Sequence, residues 1–133
     1  LKKLFFYCKL EGMKYFIITF GCQMNKSDSE RIATLLEKDG YQPAAKINEA
    51  NLILVNMCSV RQSAVDRVYG LQPKLKKLKA KTILTGCILQ KDRKKFKKIF
   101  DTIWDNKNYF QTKPKCQNKS LAFVPISNGC NNF

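Results

Sequence analysis

The sequence predicts an α/β fold, a three-layer sandwich in which helices cover both faces of a parallel sheet. Three observations lead there. Apolar runs of strand length at residues 15–20, 51–57 and 82–85 are each followed by a stretch with apolar residues at helical spacing. The runs are near-continuous rather than alternating, as expected of strands buried on both faces. Each run also ends at a cysteine, Cys22, Cys58 or Cys87, so the chain carries a β-Cys-α unit three times. Strands that alternate with helices wind into a parallel sheet through right-handed crossovers. With 133 residues, 44% of them hydrophobic, the chain can build one core of ordinary domain size plus a tail.

The elements follow in order. Met13 reads as the natural start and opens the first strand, which leaves residues 1–12 as an N-terminal extension. After Cys22, Asn25, Ser27 and Asp28 are candidate N-caps, and Glu30 falls in the first turn of a helix. Ile32, Leu35 and Leu36 form its inner face and Gly40 closes it. The second strand, residues 51–57, leads to a helix from about Val60 through Ala64, Val65, Val68 and Leu71. Pro73 is expected to start a new helical segment that carries Leu75 and Leu78. The third strand, residues 82–85, leads to a basic helix over 94–100 with Phe96, Ile99 and Phe100 inside. Residues 103–104 suit a further strand. The expected division is a domain over 13–105, a polar linker over 106–120, and the start of something new over 121–133.

Composition excludes several chemistries. The chain has 25 Lys and Arg against 10 Asp and Glu, and no His, for a formal charge of +15. Without histidine it cannot build a Ser-His-Asp or Cys-His pair, a zinc site containing imidazole, or an imidazole proton shuttle. Chemistry must come from cysteine, carboxylates, lysine or a cofactor. The charge points to a polyanionic partner, although 21 of the 25 basic residues are lysine, a skew that overall composition bias can also produce. The excess is local: residues 71–100 carry a net +10 and residues 11–70 balance to zero. Eleven basic residues between Lys74 and Lys98, with only Asp92 among them, are expected to dominate one face beside the third cysteine strand.

Six cysteines could form a disulfide framework, but that requires a secreted chain too small to fold on its core. Lys2 and Lys3 are followed by only five residues before Lys9, far short of a signal core, and no run is long enough for a membrane span. The default is a reducing cytoplasm, where thiols serve metal or redox chemistry more often than crosslinks.

Ligands of open parallel sheets bind beyond the carboxyl ends of the strands. Cys22, Cys58 and Cys87 each occupy that turn. Neighbouring strands lie about 4.8 Å apart, so three such cysteines would span roughly 5 to 10 Å, within reach of one multinuclear iron-sulfur cluster. Helix N-termini after the cysteines favour thiolate, and soft ligands without imidazole favour iron-sulfur over zinc. Three ligands on a four-iron cluster leave one iron open. The competing reading is that of three small buried residues at strand ends. Gln23, Asn25, Asn56, Ser59 and Arg61 flank the cysteines and could tune the cluster or face substrate, or could serve only as caps and strand-end hydrogen bonds.

Cys87 and Arg93 have the C-x5-R spacing of cysteine phosphatases. The intervening loop has no glycine and places Asp92 beside the arginine, where it would repel phosphate. Cys8 and Cys116 fall in the extension and the linker and read as free thiols. A non-catalytic basic α/β module that binds RNA through residues 74–98 is a further alternative.

Residues 19–30 (TFGCQMNKSDSE), 56–61 (NMCSVR), 85–87 (TGC) and 124–133 (VPISNGCNNF) resemble, in this order, the tRNA methylthiotransferases of the radical S-adenosylmethionine superfamily. The resemblance covers about residues 13–133 and is nearest the branch acting on N6-(isopentenyl)adenosine. Met57, where that branch usually has Thr, is a small departure. The resemblance implies a flavodoxin-like or Rossmann-like sheet in which Cys22, Cys58 and Cys87 hold an auxiliary 4Fe-4S cluster. It also implies that Cys130 is the first ligand of the C-x3-C-x2-C motif of a second, radical cluster, with residues 121–133 the first strand of its barrel. The other two cysteines of that motif, the remaining barrel, the S-adenosylmethionine site and the C-terminal RNA-binding domain are not in this sequence.

The resemblance implies for the parent enzyme that one S-adenosylmethionine yields the radical that activates carbon 2 of the adenine at tRNA position 37. Sulfur from the auxiliary cluster is inserted there and methylated from a second S-adenosylmethionine. The partner would be the tRNA anticodon stem-loop, with Lys94, Lys95, Lys97 and Lys98 as candidate RNA contacts. The parent would be a cytoplasmic monomer without membrane attachment. The chain itself reads as a truncated piece, inactive alone.

Overall fold

The computed structural model describes residues 12–115. Cys8, Cys116 and Cys130, and the expected extension, later linker and barrel strand, lie outside the described residues. The first strand, β1 (Lys14–Phe20), leads through α1 (Gln23–Lys38) to a two-residue strand, β2 (Gln42–Pro43). Then come β3 (Leu52–Cys58), α2 (Gln62–Lys77), β4 (Lys81–Cys87), α3 (Gln90–Phe96) and β5 (Thr102–Ile103). All five strands pair in parallel in the order β2-β1-β3-β4-β5. This is the doubly wound arrangement, and its winding reverses between β1 and β3.

β3 is the centre of the sheet and is buried along its whole length. Its side chains alternate between two cores. Leu52 and Leu54 join Ile32, Ala33 and Leu36 of α1 on one face. Ile53, Val55 and Met57 join Val65, Val68 and Leu75 of α2 and Phe96 and Phe100 on the other. That two-sided demand is why LILVNM has no polar alternation until Asn56.

Four expectations change. The N-cap of α1 is Cys22 itself, while Asn25, Ser27 and Asp28 lie inside the helix and are buried. Pro73 starts no new helix, because α2 runs through it to Lys77. Burial of Val68 before it and Leu75 after it on one face offsets the hydrogen bond that proline cannot make. The helix expected over 94–100 begins at Gln90 and ends at Phe96, with Phe100 reaching the core from the following turn. β2, which the sequence did not suggest, is a two-residue edge strand with exposed residues. Gly40, at φ +93°, ends α1 as expected. Tyr109, in the segment read as linker, is buried in the α1-side core, and its hydroxyl lies 3.2 Å from Thr85 Oγ1.

Candidate metal centre at the carboxyl edge of the sheet

The three cysteines meet at the carboxyl ends of three adjacent strands. Cys58 and Cys87 are direct register partners, and Phe20 pairs with Met57, so Cys22 lies two residues past that pair at the start of α1. Cys22 and Cys58 thus flank the point where the winding reverses. Cys58 is buried, Cys22 half-buried and Cys87 exposed.

Two of the cysteines follow a glycine, and each glycine has a local cause. Gly86 has φ +112°, and a Cβ there would overlap the Met57 carbonyl oxygen and the Asn56 side chain. A Cβ at Gly21 would overlap the Asn25 side chain. The Gly-Cys pairs let neighbouring strand ends and the first turn of α1 close around the thiols.

Polar residues tie the three loops together. Asn25 Oδ1 accepts from the Cys22 N–H at 3.1 Å and from the Cys22 thiol at 3.4 Å. Asn25 Nδ2 donates to Asn56 Oδ1 at 2.9 Å, and Asn56 Nδ2 donates to the Asn25 carbonyl at 2.7 Å and to Ser29 Oγ at 3.0 Å. Ser29 in turn meets Thr19 Oγ1 at 2.8 Å. On the other side the Ser59 N–H donates to the Cys87 carbonyl at 2.8 Å, and its hydroxyl accepts from the Leu89 N–H at 2.7 Å. Asn25 is therefore a cap and Ser59 a strand-end brace, both holding cysteine loops. Gln23 and Arg61 are exposed.

The electrostatics differ from expectation at Cys87. Packing around its thiol, then the charges of Cys58, Cys22 and Asp28 and a hydrogen bond with Cys58, push its pKa up to about 11. The expected thiolate-favouring helix does not prevail, because α3 starts only at Gln90, with Leu89 as its cap. A cationic centre bound beside Cys87 would act against that rise. Asp28 is also buried, and desolvation raises it to about 6 despite the opposing charge of Arg31. As a site neighbour, it was hidden in the sequence among ordinary polar helix starters.

Among the described residues no three His, Cys, Asp or Glu side chains converge closely enough to hold a single metal ion. The thiols of Cys22, Cys58 and Cys87 are within electrostatic reach of one another, and a donor set of sulfur without imidazole is the kind that iron-sulfur clusters take. The phosphatase reading loses its support. Arg93 is paired with Asp105 at 2.8 Å, Asp92 is buried, and a thiol raised to about 11 is a poor nucleophile at neutral pH.

The basic residues are on the α2 and α3 side, as expected of one charged face, but most are not beside the cysteines. The 74–81 group lies where α2 ends and β4 begins, at the opposite edge of the sheet. Lys94, Lys95, Lys97 and Lys98 are exposed and follow α3 away from Cys87, toward β5, which pairs with the first half of β4. No helix among the described residues is long and apolar enough to cross a membrane.

Residues 14–104 match the family model described as Uncharacterized protein family UPF0004. The chain is 35% identical to a tRNA-2-methylthio-N(6)-dimethylallyladenosine synthase of Dictyoglomus thermophilum, over 90% of this chain and 36% of the relative. It is 38% identical to the protein of that name from Chlorobium phaeobacteroides, over 90% of this chain and 35% of the relative. It is 46% identical to the one from Parafrankia sp., over 63% of this chain and 18% of the relative. The chain thus spans about a third or less of the length of these curated relatives. With the matched residues covering the whole sheet and all three strand-end cysteines, the chain belongs to the UPF0004 family.

Proposed function

We propose that this chain is the auxiliary-cluster domain of a radical S-adenosylmethionine tRNA methylthiotransferase that modifies N6-dimethylallyladenosine at position 37. The observation that carries the reading is the gathering of Cys22, Cys58 and Cys87 at adjacent strand ends around the reversal of winding. The names of the relatives supply the reaction and the tRNA substrate. In this reading the three thiolates hold a 4Fe-4S cluster. When bound, that cluster supplies the sulfur of the methylthio group.

The chain's own contribution is positional. Ser59 fixes the Cys87 loop against the Cys58 loop, Asn25 fixes Cys22, and Gly21 and Gly86 leave room for the close approach. Cys22, Cys58 and Cys87 would be the protein's ligands to that cluster. Cys130 is the first ligand of the radical cluster, 121–133 are the barrel start, and the connection from the cluster domain over 13–105 packs back on that domain through Tyr109 before it leaves. The parent works as a monomer in the cytoplasm, and Lys94, Lys95, Lys97 and Lys98 meet the phosphates of the anticodon stem-loop.

Anaerobic reconstitution with iron and sulfide tests the cluster. A brown chain with about four irons and matching acid-labile sulfide is expected. A colourless chain without bound iron would defeat the reading. For the lysines, charge reversal at the four positions is expected to weaken tRNA binding and flatten its salt dependence. Equal affinity would remove them from the interface.

A further inference from the structure

The buried amides beside Cys22 have a polarity that backbone groups dictate at both ends. At one end, Asn56 Nδ2 sits 2.7 Å from the Asn25 backbone carbonyl, which can only accept. Asn56 must therefore turn its oxygen toward the Asn25 side chain, which must answer with its own NH2 at 2.9 Å. At the other end, Asn25 Oδ1 faces the backbone N–H of Cys22 at 3.1 Å, which can only donate. Flipping either amide would set donor against donor or acceptor against acceptor. Both residues are 1% exposed or less, so water cannot repair the mismatch.

The consequence falls on the Cys22 sulfur, which lies 3.4 Å from Asn25 Oδ1. A thiol can donate to that oxygen, whereas a metal-bound thiolate finds the negative end of a dipole and receives no N–H from this pair. We infer that Asn25, locked by Asn56, is a positioning residue that fixes Cys22 and withholds a hydrogen-bond donor from its sulfur, lowering the reduction potential of a cluster bound there. Donors to cluster sulfurs stabilise the reduced, more negative state and raise the potential, and an oxygen in that place acts in the opposite sense. This rests on the cluster reading above.

The test is a spectroscopically monitored redox titration of the reconstituted chain and its variants, with circular dichroism to show that each folds. Asn25→Ala removes the oxygen and admits water, and is expected to raise the potential. Asn25→Asp keeps an oxygen there and adds charge, and is expected to lower it. A role in folding alone would reduce iron uptake in both without splitting the sign. Folded, loaded variants that titrate at the wild-type potential would overturn the inference while leaving the cluster in place. A wild-type chain that binds no iron would defeat the cluster reading and the tuning with it. Independently of any variant, the side-chain amide protons of Asn25 and Asn56 in the cluster-free wild-type chain are expected to exchange slowly with solvent. Rapid exchange would show that no lock exists.

Discussion

The two helical layers cover the same sheet with different chemistry. On the α2–α3 side the buried residues are almost all apolar: Val65, Val68, Leu75, Phe96 and Phe100 pack on Ile53, Val55 and Met57. On the α1 side the second half of the helix behaves alike, through Ile32, Ala33 and Leu36. Its first half does not. Asn25, Ser27, Asp28, Ser29 and Glu30 are all buried, next to the cysteine edge. Burying polar groups there costs stability unless they are paired, and the Asn25–Asn56–Ser29 network provides much of that pairing. One layer serves packing. The other gives up part of its packing to hold cysteine loops in place.

Substitutions in the two layers should therefore separate stability from metal binding. The largest effect is expected at Phe96, fully buried on the apolar side. Phe96→Ala should cost about 3–5 kcal/mol in denaturant unfolding of the cluster-free chain. Whatever fraction remains folded should still load iron normally; selective loss of iron binding would break the contrast.

Asp28 should give the next largest effect, with the opposite sign. Its carboxyl titrates at about 6 in the folded chain against 3.8 as the ordinary value, so the folded state binds its proton more tightly. Below about pH 4 both states are protonated and nothing is lost. Stability then falls as pH rises through 6 and stays reduced above it. Asp28→Asn should remove that fall and stabilise the cluster-free chain above pH 6 by on the order of 2–3 kcal/mol, from about 1.4 kcal/mol per pKa unit. Parallel pH–stability curves for the two chains would show that the buried charge carries no penalty.

The smallest effect is expected at Lys115, whose ion pair with Glu37 at 2.8 Å is largely exposed. Lys115→Ala should change stability by no more than about 0.5 kcal/mol, less in high salt. A larger loss would mean that this surface pair, and not only Tyr109 and the Arg31–Phe110 contact, holds residues 109–115 on α1.

Much of this architecture was legible in the sequence. Near-continuous apolar runs of strand length between helical patterns read as strands covered on both faces, and the cysteines at their ends placed the candidate site at the carboxyl edge of the sheet. The misreadings share a cause, which is that local preference was overridden by packing. Pro73 is a strong local stop, yet burial on both sides of it carries α2 through. Asn25 and Asp28 have the chemistry of N-caps, but the cap is Cys22, because Asn25 is needed three residues inside to reach both Cys22 and Asn56. β2 makes too few pairs to leave a pattern, and only the turn after α1 brings Gln42 and Pro43 alongside β1. The lysines between 74 and 98 are close in sequence, but the strand between them carries the chain from one edge of the sheet to the other.

The central claim is that Cys22, Cys58 and Cys87, and neither Cys8 nor Cys116, hold the group at the carboxyl edge. Five single variants, each cysteine of this set plus Cys8 and Cys116 changed to alanine, can be reconstituted anaerobically side by side and measured for bound iron and sulfide per folded chain. The account predicts a marked loss in Cys22→Ala, Cys58→Ala and Cys87→Ala and wild-type content in Cys8→Ala and Cys116→Ala. Full iron content in any of the first three, or its loss in either of the last two, would contradict it.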